Sequence, residues 1–169
     1  AAVDAASLNE KINSVKTESI TPRMFQYNML VNAKKLQRHI VLPEGDDRIL
    51  TAASHLAKDK IVYLTILGNN EAIKAKVAQL GLYWDDSRIK IVDPEASEKY
   101  EDYYRTLYDL RKSKGLELTT AADLMLDVSY YGTMMVYKGE ADGMVSGAVN
   151  TTAHTIKPAL QFVKTKPGF

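Results

Sequence analysis

The sequence predicts an α/β fold, a mostly parallel sheet with helices on both faces. Three observations predict it. Short apolar runs alternate with longer segments of helical period from His39 onward, and Gly, Asn, Asp and Pro bound the runs. The intervening helices are long enough for right-handed crossovers between parallel strands. With 169 residues, 46% hydrophobic and 25% charged, the chain also has the composition of a globular domain with one sizeable core.

The elements follow in order. Residues 1–20 are small and polar, and Leu8, Ile12 and Val15 stand at helical spacing, as in a short helix or tether. From residue 21 to 169 the chain reads as one α/β domain. Thr21 and Pro22 form an N-cap followed by proline at the first helical position, which fits because that N–H has no intrahelical partner. Phe25, Met29, Leu30, Ala33 and Leu36 then share one helical face, predicted to cover one side of the sheet. The run IVL after His39 is the first strand and PEGDD its turn. ILTAASHLAKD is the next helix, capped by Asp46 or Asp47. VYLTIL is the second strand, broken by Gly68, Asn69 and Asn70, and AIKAKVAQL is a helix stopped by Gly81.

RIKIV is the third strand. After Asp93 and Pro94, residues Tyr100, Tyr103, Tyr104, Leu107 and Leu110 recur at three and four and mark a helix ending near Gly115. From Thr119 to Gly139 the pattern predicts one helical stretch that buries Leu124, Met125, Val128, Met134 and Met135, with Gly132 as the candidate break. DGMVSGAV, apolar and bounded by glycines, reads as a short buried strand, and NTTAHTIKPALQFV as the helix after it.

Charge and composition remove several function classes. The 22 basic residues balance 21 acidic ones, so no global field points to nucleic acid or to an anionic membrane, and an anion site must be local. The absence of cysteine excludes disulfides, thiolate metal sites and a cysteine nucleophile. No apolar run has transmembrane length and the start lacks a secretory pattern, so the expected location is the cytoplasm. His39, His55 and His154 have no metal-ligand spacing, and no metal is expected.

In an open parallel sheet, ligands lie beyond the carboxyl ends of the strands, where helix N-termini offer free N–H groups. The turn SGAVNTT therefore stands out. Gly147 permits close approach of backbone to a ligand, and Ser146, Asn150, Thr151 and Thr152 carry short polar side chains that suit phosphate oxygens. The same Asn150, Thr151 and Thr152 serve equally as a helix cap. In PEGDDR, Arg48 stands in a first helical turn, where a cation opposes the helix dipole; it answers either an anionic ligand or Asp46 and Asp47. Glu44, Asp46 and Asp47 could bind a cation, but one acidic turn is ordinary helix-start composition. Arg111, in LRKSKG, sits at a helix C-terminus, where a cation favours the dipole without any ligand. Lys157 precedes Pro158 inside the last helix, and the kink a proline imposes there decides where its ammonium points.

In these places the sequence resembles the phosphate acetyltransferases: IVLPEGDDR, LGN, IVDP, LRKSKG, DGMVSGAVNTTAHTIKPALQ and VKTKPG occur in the order of that family, across residues 39 to 168, and ITPRMF is similar to the join between the amino-terminal modules of its long form and the catalytic domain. The resemblance implies a fold like that of the isocitrate and isopropylmalate dehydrogenases, with two α/β domains flanking a cleft. This chain then supplies most of the first domain, and the carboxyl-terminal half lies beyond Phe169. The family's catalytic serine, arginine and aspartate belong to that half, so no catalytic residue is expected here, and the chain alone is expected to be inactive. Substrates implied are acetyl phosphate, phosphate and coenzyme A, the last as a substrate and not as a permanently bound cofactor. Homo-oligomerisation is compatible with it. Arg111 matches an arginine tied to anionic substrate binding, whereas Lys157 stands where the family motif usually has arginine, which keeps the charge and loses the two-pronged grip. A phosphate butyryltransferase and a noncatalytic acetyl-CoA-sensing module, like the domain joined to some malic enzymes, are the alternatives. The long-form leader and NTTAHTIKPA favour acetyl over butyryl.

Overall fold

A computed structural model describes residues 20–165 and Gly168, and the tether predicted for residues 1–20 lies outside this range except for Ile20. The first helix, α1 (Pro22–Leu36), begins as expected: the Thr21 hydroxyl accepts from the Met24 N–H, and Pro22 occupies the first turn. Its apolar face, however, stays largely exposed among the described residues. Phe25 is 56% exposed and Leu36 59%, and no residue of α1 is buried. Helical periodicity predicts that a face seeks a partner, not which partner. Both faces of the sheet are already occupied by other helices.

Four strands, β1 (His39–Leu42), β2 (Tyr63–Leu67), β3 (Ile89–Val92) and β4 (Gly143–Met144), form an all-parallel sheet in the order β3-β2-β1-β4. Alternation along the strands feeds two cores. Leu42, Leu64, Ile66 and Ile89 pack against Leu50, Ala53 and Ala57 of α2 (Asp47–Lys58) and Ile73 and Val77 of α3 (Asn70–Gln79). On the opposite face, Val41 and Leu67 meet Tyr103 and Leu107 of α4 (Tyr100–Arg111), Met125 of α5 (Leu118–Met125) and Tyr131 and Met134 of α6 (Val128–Tyr137). Asp46 caps α2 and Asn69 caps α3 through their side chains. A 3₁₀ turn, Lys112–Lys114, carries α4 to Gly115.

Two expectations need correction. The stretch after Thr119 is two helices, and the break falls at Leu126 and Asp127, not at Gly132: the Asp127 carboxylate accepts from the N–H groups of Ser129 and Tyr130 and starts α6. Gly132 instead lets α6 approach the sheet. A Cβ there would stand 2.9 Å from the Met144 sulfur and 3.1 Å from a Val41 methyl. The strand read in DGMVSGAV is a two-residue, half-buried edge strand, paired as Ile40 with Gly143 and Val41 with Met144. Val145 is already 57% exposed, because the chain turns there toward the end of β1.

The last helix, α7 (Thr152–Pro158), is capped by Thr151, whose hydroxyl accepts from the His154 N–H. Pro158 lacks the N–H that would continue the ladder, and α7 passes directly into a π-helical turn, Ala159–Val163. No described helix is long and apolar enough to cross a membrane.

Candidate functional site

Helix α6 runs opposite to β1. At its start, Asp127 pairs with His154 at 2.8 Å and the Ser129 hydroxyl accepts from the Asn150 amide at 3.4 Å; beyond its end, the Glu140 carbonyl lies 2.9 Å from His39 Nδ1. The start of α6, the carboxyl ends of β1 and β4 and the turn before α7 therefore gather at one edge, where a parallel sheet places its ligands.

The turn after β4 is built around a carboxylate. Gly147 adopts a φ of 109°, a conformation that glycine takes without strain. Four successive backbone N–H groups then converge on Glu44: Gly147 and Ala148 donate to Oε2 at 3.1 and 2.6 Å, Val149 and Asn150 to Oε1 at 3.1 and 2.6 Å. Such a run of N–H groups forms an anion-binding concavity. Glu44 is 6% exposed. Burial by itself would raise its pKa, but the bonds from Asn150, Ala148, Val149 and Gly147 outweigh it and hold the carboxyl below its ordinary value. Arg48 bridges from above, donating to the Ala148 carbonyl at 2.6 Å and to Asp46 at 3.1 Å.

The expectation that this turn cradles an anion through its backbone is thus met by an internal group. Gly147 and Asn150 direct their N–H groups to Glu44. Among the side chains, Ser146 meets the Thr155 hydroxyl at 3.3 Å and Thr151 caps α7.

A separate cleft of about 660 Å³ opens beside the turn, and Arg111, Thr152, Ala153, Ile156, Lys157, Leu160 and Gln161 line it. Arg111 reaches it as the last residue of α4 and is held by the Gln161 carbonyl at 3.4 Å; the Gln161 side chain in turn accepts from the Tyr130 hydroxyl at 3.0 Å. Arg111 is half-buried. Among the described residues neither Arg111 nor Lys157 pairs with a carboxylate, whereas Lys112, next in sequence, is engaged by Asp109 at 2.7 Å. The floor is apolar, with Ile156 and Leu160 both exposed to the opening.

Of the sequence-derived residues, the structure brings Arg111, Lys157 and Thr152 to one cleft and Ser146, Gly147, Asn150 and Thr151 to the adjoining turn. Arg48 lies over the turn and does not line the cleft. Sequence reasoning missed Glu44 as the partner of the turn and Gln161 as the support of Arg111. The first was recoverable only with the strand order, since β4 beside β1 is what puts the two turns together.

A second cavity, of about 470 Å³, lies near the amino end of β1 among His39, Thr65, Ser97, Lys99, Tyr131 and Glu140. Lys99 and Glu140 pair with each other there, Ser97 bonds Tyr131 at 2.5 Å, and Lys90 and Glu98 complete the charged lining. Among the described residues no group of three or more His, Asp or Glu converges to hold a metal.

Residues 24–169 match the family described as Phosphate acetyl/butaryl transferase. A phosphate acetyltransferase of Synechocystis sp. is 49% identical over 168 residues, which are 99% of this chain and 24% of that relative. One of Corynebacterium glutamicum is 46% identical over 149 residues, 88% of this chain and 45% of that relative. Among solved structures, a phosphotransacetylase from Streptococcus pyogenes superposes with a TM-score of 0.81 at 35% identity, covering 88% of this chain and 45% of that one. The EutD phosphotransacetylase from Staphylococcus aureus gives 0.74 at 39% identity, with 84% and 44% covered. The chain thus spans less than half the length of each of these relatives.

Proposed function

The chain belongs to the phosphate acetyl/butaryl transferase family, and from that premise we propose that the protein of which it forms part interconverts acetyl phosphate plus coenzyme A with acetyl-CoA plus phosphate. Residues 21–169 act as the first α/β domain of its catalytic unit. In the forward direction the CoA thiolate attacks the acetyl carbonyl, the new C–S bond replaces the C–O bond to phosphorus, and phosphate leaves. The thiol proton goes to a base outside this chain, in keeping with the family resemblance.

The observation that carries this reading is the pair of cations, Arg111 and Lys157, that meet no carboxylate among the described residues and lie over an apolar floor. Negative charge grows on the phosphate oxygens as the C–O bond breaks, and preorganised cations that meet it lower the barrier more than they tighten the ground state. Thr152 adds a hydroxyl donor at the same wall. Ile156 and Leu160 suit the apolar part of an acylated ligand. Ser146, Gly147, Asn150 and Thr151 act as the frame that holds this wall, and Arg48 steadies the frame from outside. Coenzyme A is a substrate here and not a resident cofactor, and a cysteine-free chain is compatible with the cytoplasm as its compartment.

A thioester-forming assay on the intact protein, with acetyl phosphate and coenzyme A, tests the reading. Transfer at an ordinary enzymatic rate is expected; binding of acetyl-CoA without turnover would identify a sensing module instead. Butyryl phosphate as the better acyl donor would shift the assignment to butyryl transfer.

A further inference from the structure

We propose that Glu44 is a positioning residue for the anion cleft, an internal carboxylate that fills the concavity of Gly147 to Asn150 and so fixes Thr152 and Lys157 opposite Arg111. The inference rests on the function proposed above. It starts from geometry: both carboxylate oxygens accept two N–H groups each, at 2.6 to 3.1 Å, across more than one hundred residues of sequence. A carboxylate with 6% exposure and four donors is saturated, so these donors are closed to phosphate. Thr152 follows the clamped Asn150 by two residues, and Lys157 stands about one and a half turns further along the same short helix. Displacing the turn therefore displaces one wall of the cleft while the backbone of α4, which carries Arg111, stays in place.

The chemistry of the clamp makes it specific to a carboxylate. In Glu44→Gln one oxygen becomes an NH₂ group, which faces two N–H donors and bonds neither. Glu44→Asp keeps both acceptors but draws them back by one methylene. Gly147→Ala leaves Glu44 intact and strains the φ of 109° on which the convergence depends.

The intact enzyme is assayed below the melting temperature of every variant, with rates expressed per folded molecule. Glu44→Gln is expected to raise KM for acetyl phosphate roughly tenfold or more, as when a charge-assisted contact is lost. KM for coenzyme A should change less, Glu44→Asp should rescue in part, and Gly147→Ala should reproduce the pattern. Unchanged KM values in folded Glu44→Gln enzyme, with only the melting temperature lowered, would overturn the proposal. Hydrogen exchange on the wild-type enzyme supplies a second measurement that needs no variant. The amides of Gly147 to Asn150 should be protected without phosphate and gain no protection when inorganic phosphate is added; a phosphate-dependent gain would show that the donors were open to the ligand and defeat the proposal. If the wild-type enzyme transfers no acetyl group, the functional reading fails by itself, and the exchange measurement still decides whether Glu44 closes the turn.

Discussion

Two neighbouring regions at the carboxyl edge of the sheet carry opposite kinds of incompleteness. In the turn from Gly147 to Asn150 every backbone donor is met by Glu44, inside the protein. In the cleft alongside, Arg111 and Lys157 find no carboxylate among the described residues. The first has the sequence signature of an anion site and is closed; the second has the signature of an ordinary helix end and a kinked helix, and is open. Unmet charge, more than glycine content, points to where a ligand belongs here, because Arg111 is half-buried and shares its cleft with a second cation.

The change that tests the open side most strongly is Arg111→Gln in the intact enzyme. One charge-assisted contact is lost, about 1.5 to 3 kcal/mol, so kcat/KM for acetyl phosphate should fall roughly 10- to 150-fold. The melting temperature should barely move, since a cation in a last helical turn contributes only ~0.3 to 1 kcal/mol. Kinetics equal to wild type would return Arg111 to the role of a helix-end charge and erase the contrast between the two regions.

The closed side has its own signature in pH. Glu44 is held below its ordinary value of 4.5, so its contribution to stability is complete above that value and is lost as pH falls through the lower folded-state value. Arg48 and Lys76, bonded to the Ala148 and Gly45 carbonyls, are the cations beside the clamp. The stability difference between wild type and Glu44→Gln, followed by thermal unfolding, should therefore be constant from pH 7 to about 5 and shrink below 4.5. A difference that grows on acidification would contradict the clamp.

Thr151 and Thr152 set the two regions apart by a single residue. The Thr151 hydroxyl accepts from the His154 N–H, so Thr151→Val should cost about 1 kcal/mol of stability and change KM for the anion less than Thr152→Val does. Thr152 lines the cleft, so Thr152→Val should raise KM several-fold, about the value of one neutral hydrogen bond, and leave the melting curve in place. Reversed effects would mean that the helix start binds the ligand after all.

What the sequence makes legible here is whatever depends on local pattern. The strands at His39–Leu42, Tyr63–Leu67 and Ile89–Val92 follow from short apolar runs between turn residues, and Thr21, Asp46 and Asn69 cap the helices that follow them. Residues whose role depends on a distant partner are misread. Gly132 has the look of a helix break and is a close-approach residue against Met144 and Val41. The apolar face of α1 has no partner among the described elements. Glu44 passes for helix-start composition because the turn that it holds lies more than one hundred residues away. Arg111 and Lys157 are individually visible as charges, but their shared cleft exists only once α4 and α7 are packed.

The smallest expected effect concerns Lys157, at the wall of the cleft. Lysine presents a compact, strongly hydrated charge on a flexible stem, and holding it against an anion costs side-chain entropy; the arginine fork is planar and donates two parallel bonds to a phosphate. The residue is exposed at the cleft wall, immediately before Pro158 and the π-helical turn, so the larger guanidinium has room without repacking a core. Lys157→Arg should therefore lower KM for acetyl phosphate by about two- to fivefold, a fraction of one charge-assisted bond, with kcat rising as well because the cation meets charge that grows in the transition state. Steady-state kinetics at two ionic strengths provide the check: the gain should persist at high salt, since a bidentate contact is short-ranged, whereas a general increase of positive potential would be screened. A rise in KM would show that the bend at Pro158 sets the ammonium at a distance the longer side chain overshoots. In that case the cleft is shaped for lysine, and its geometry, not its charge alone, selects the anion.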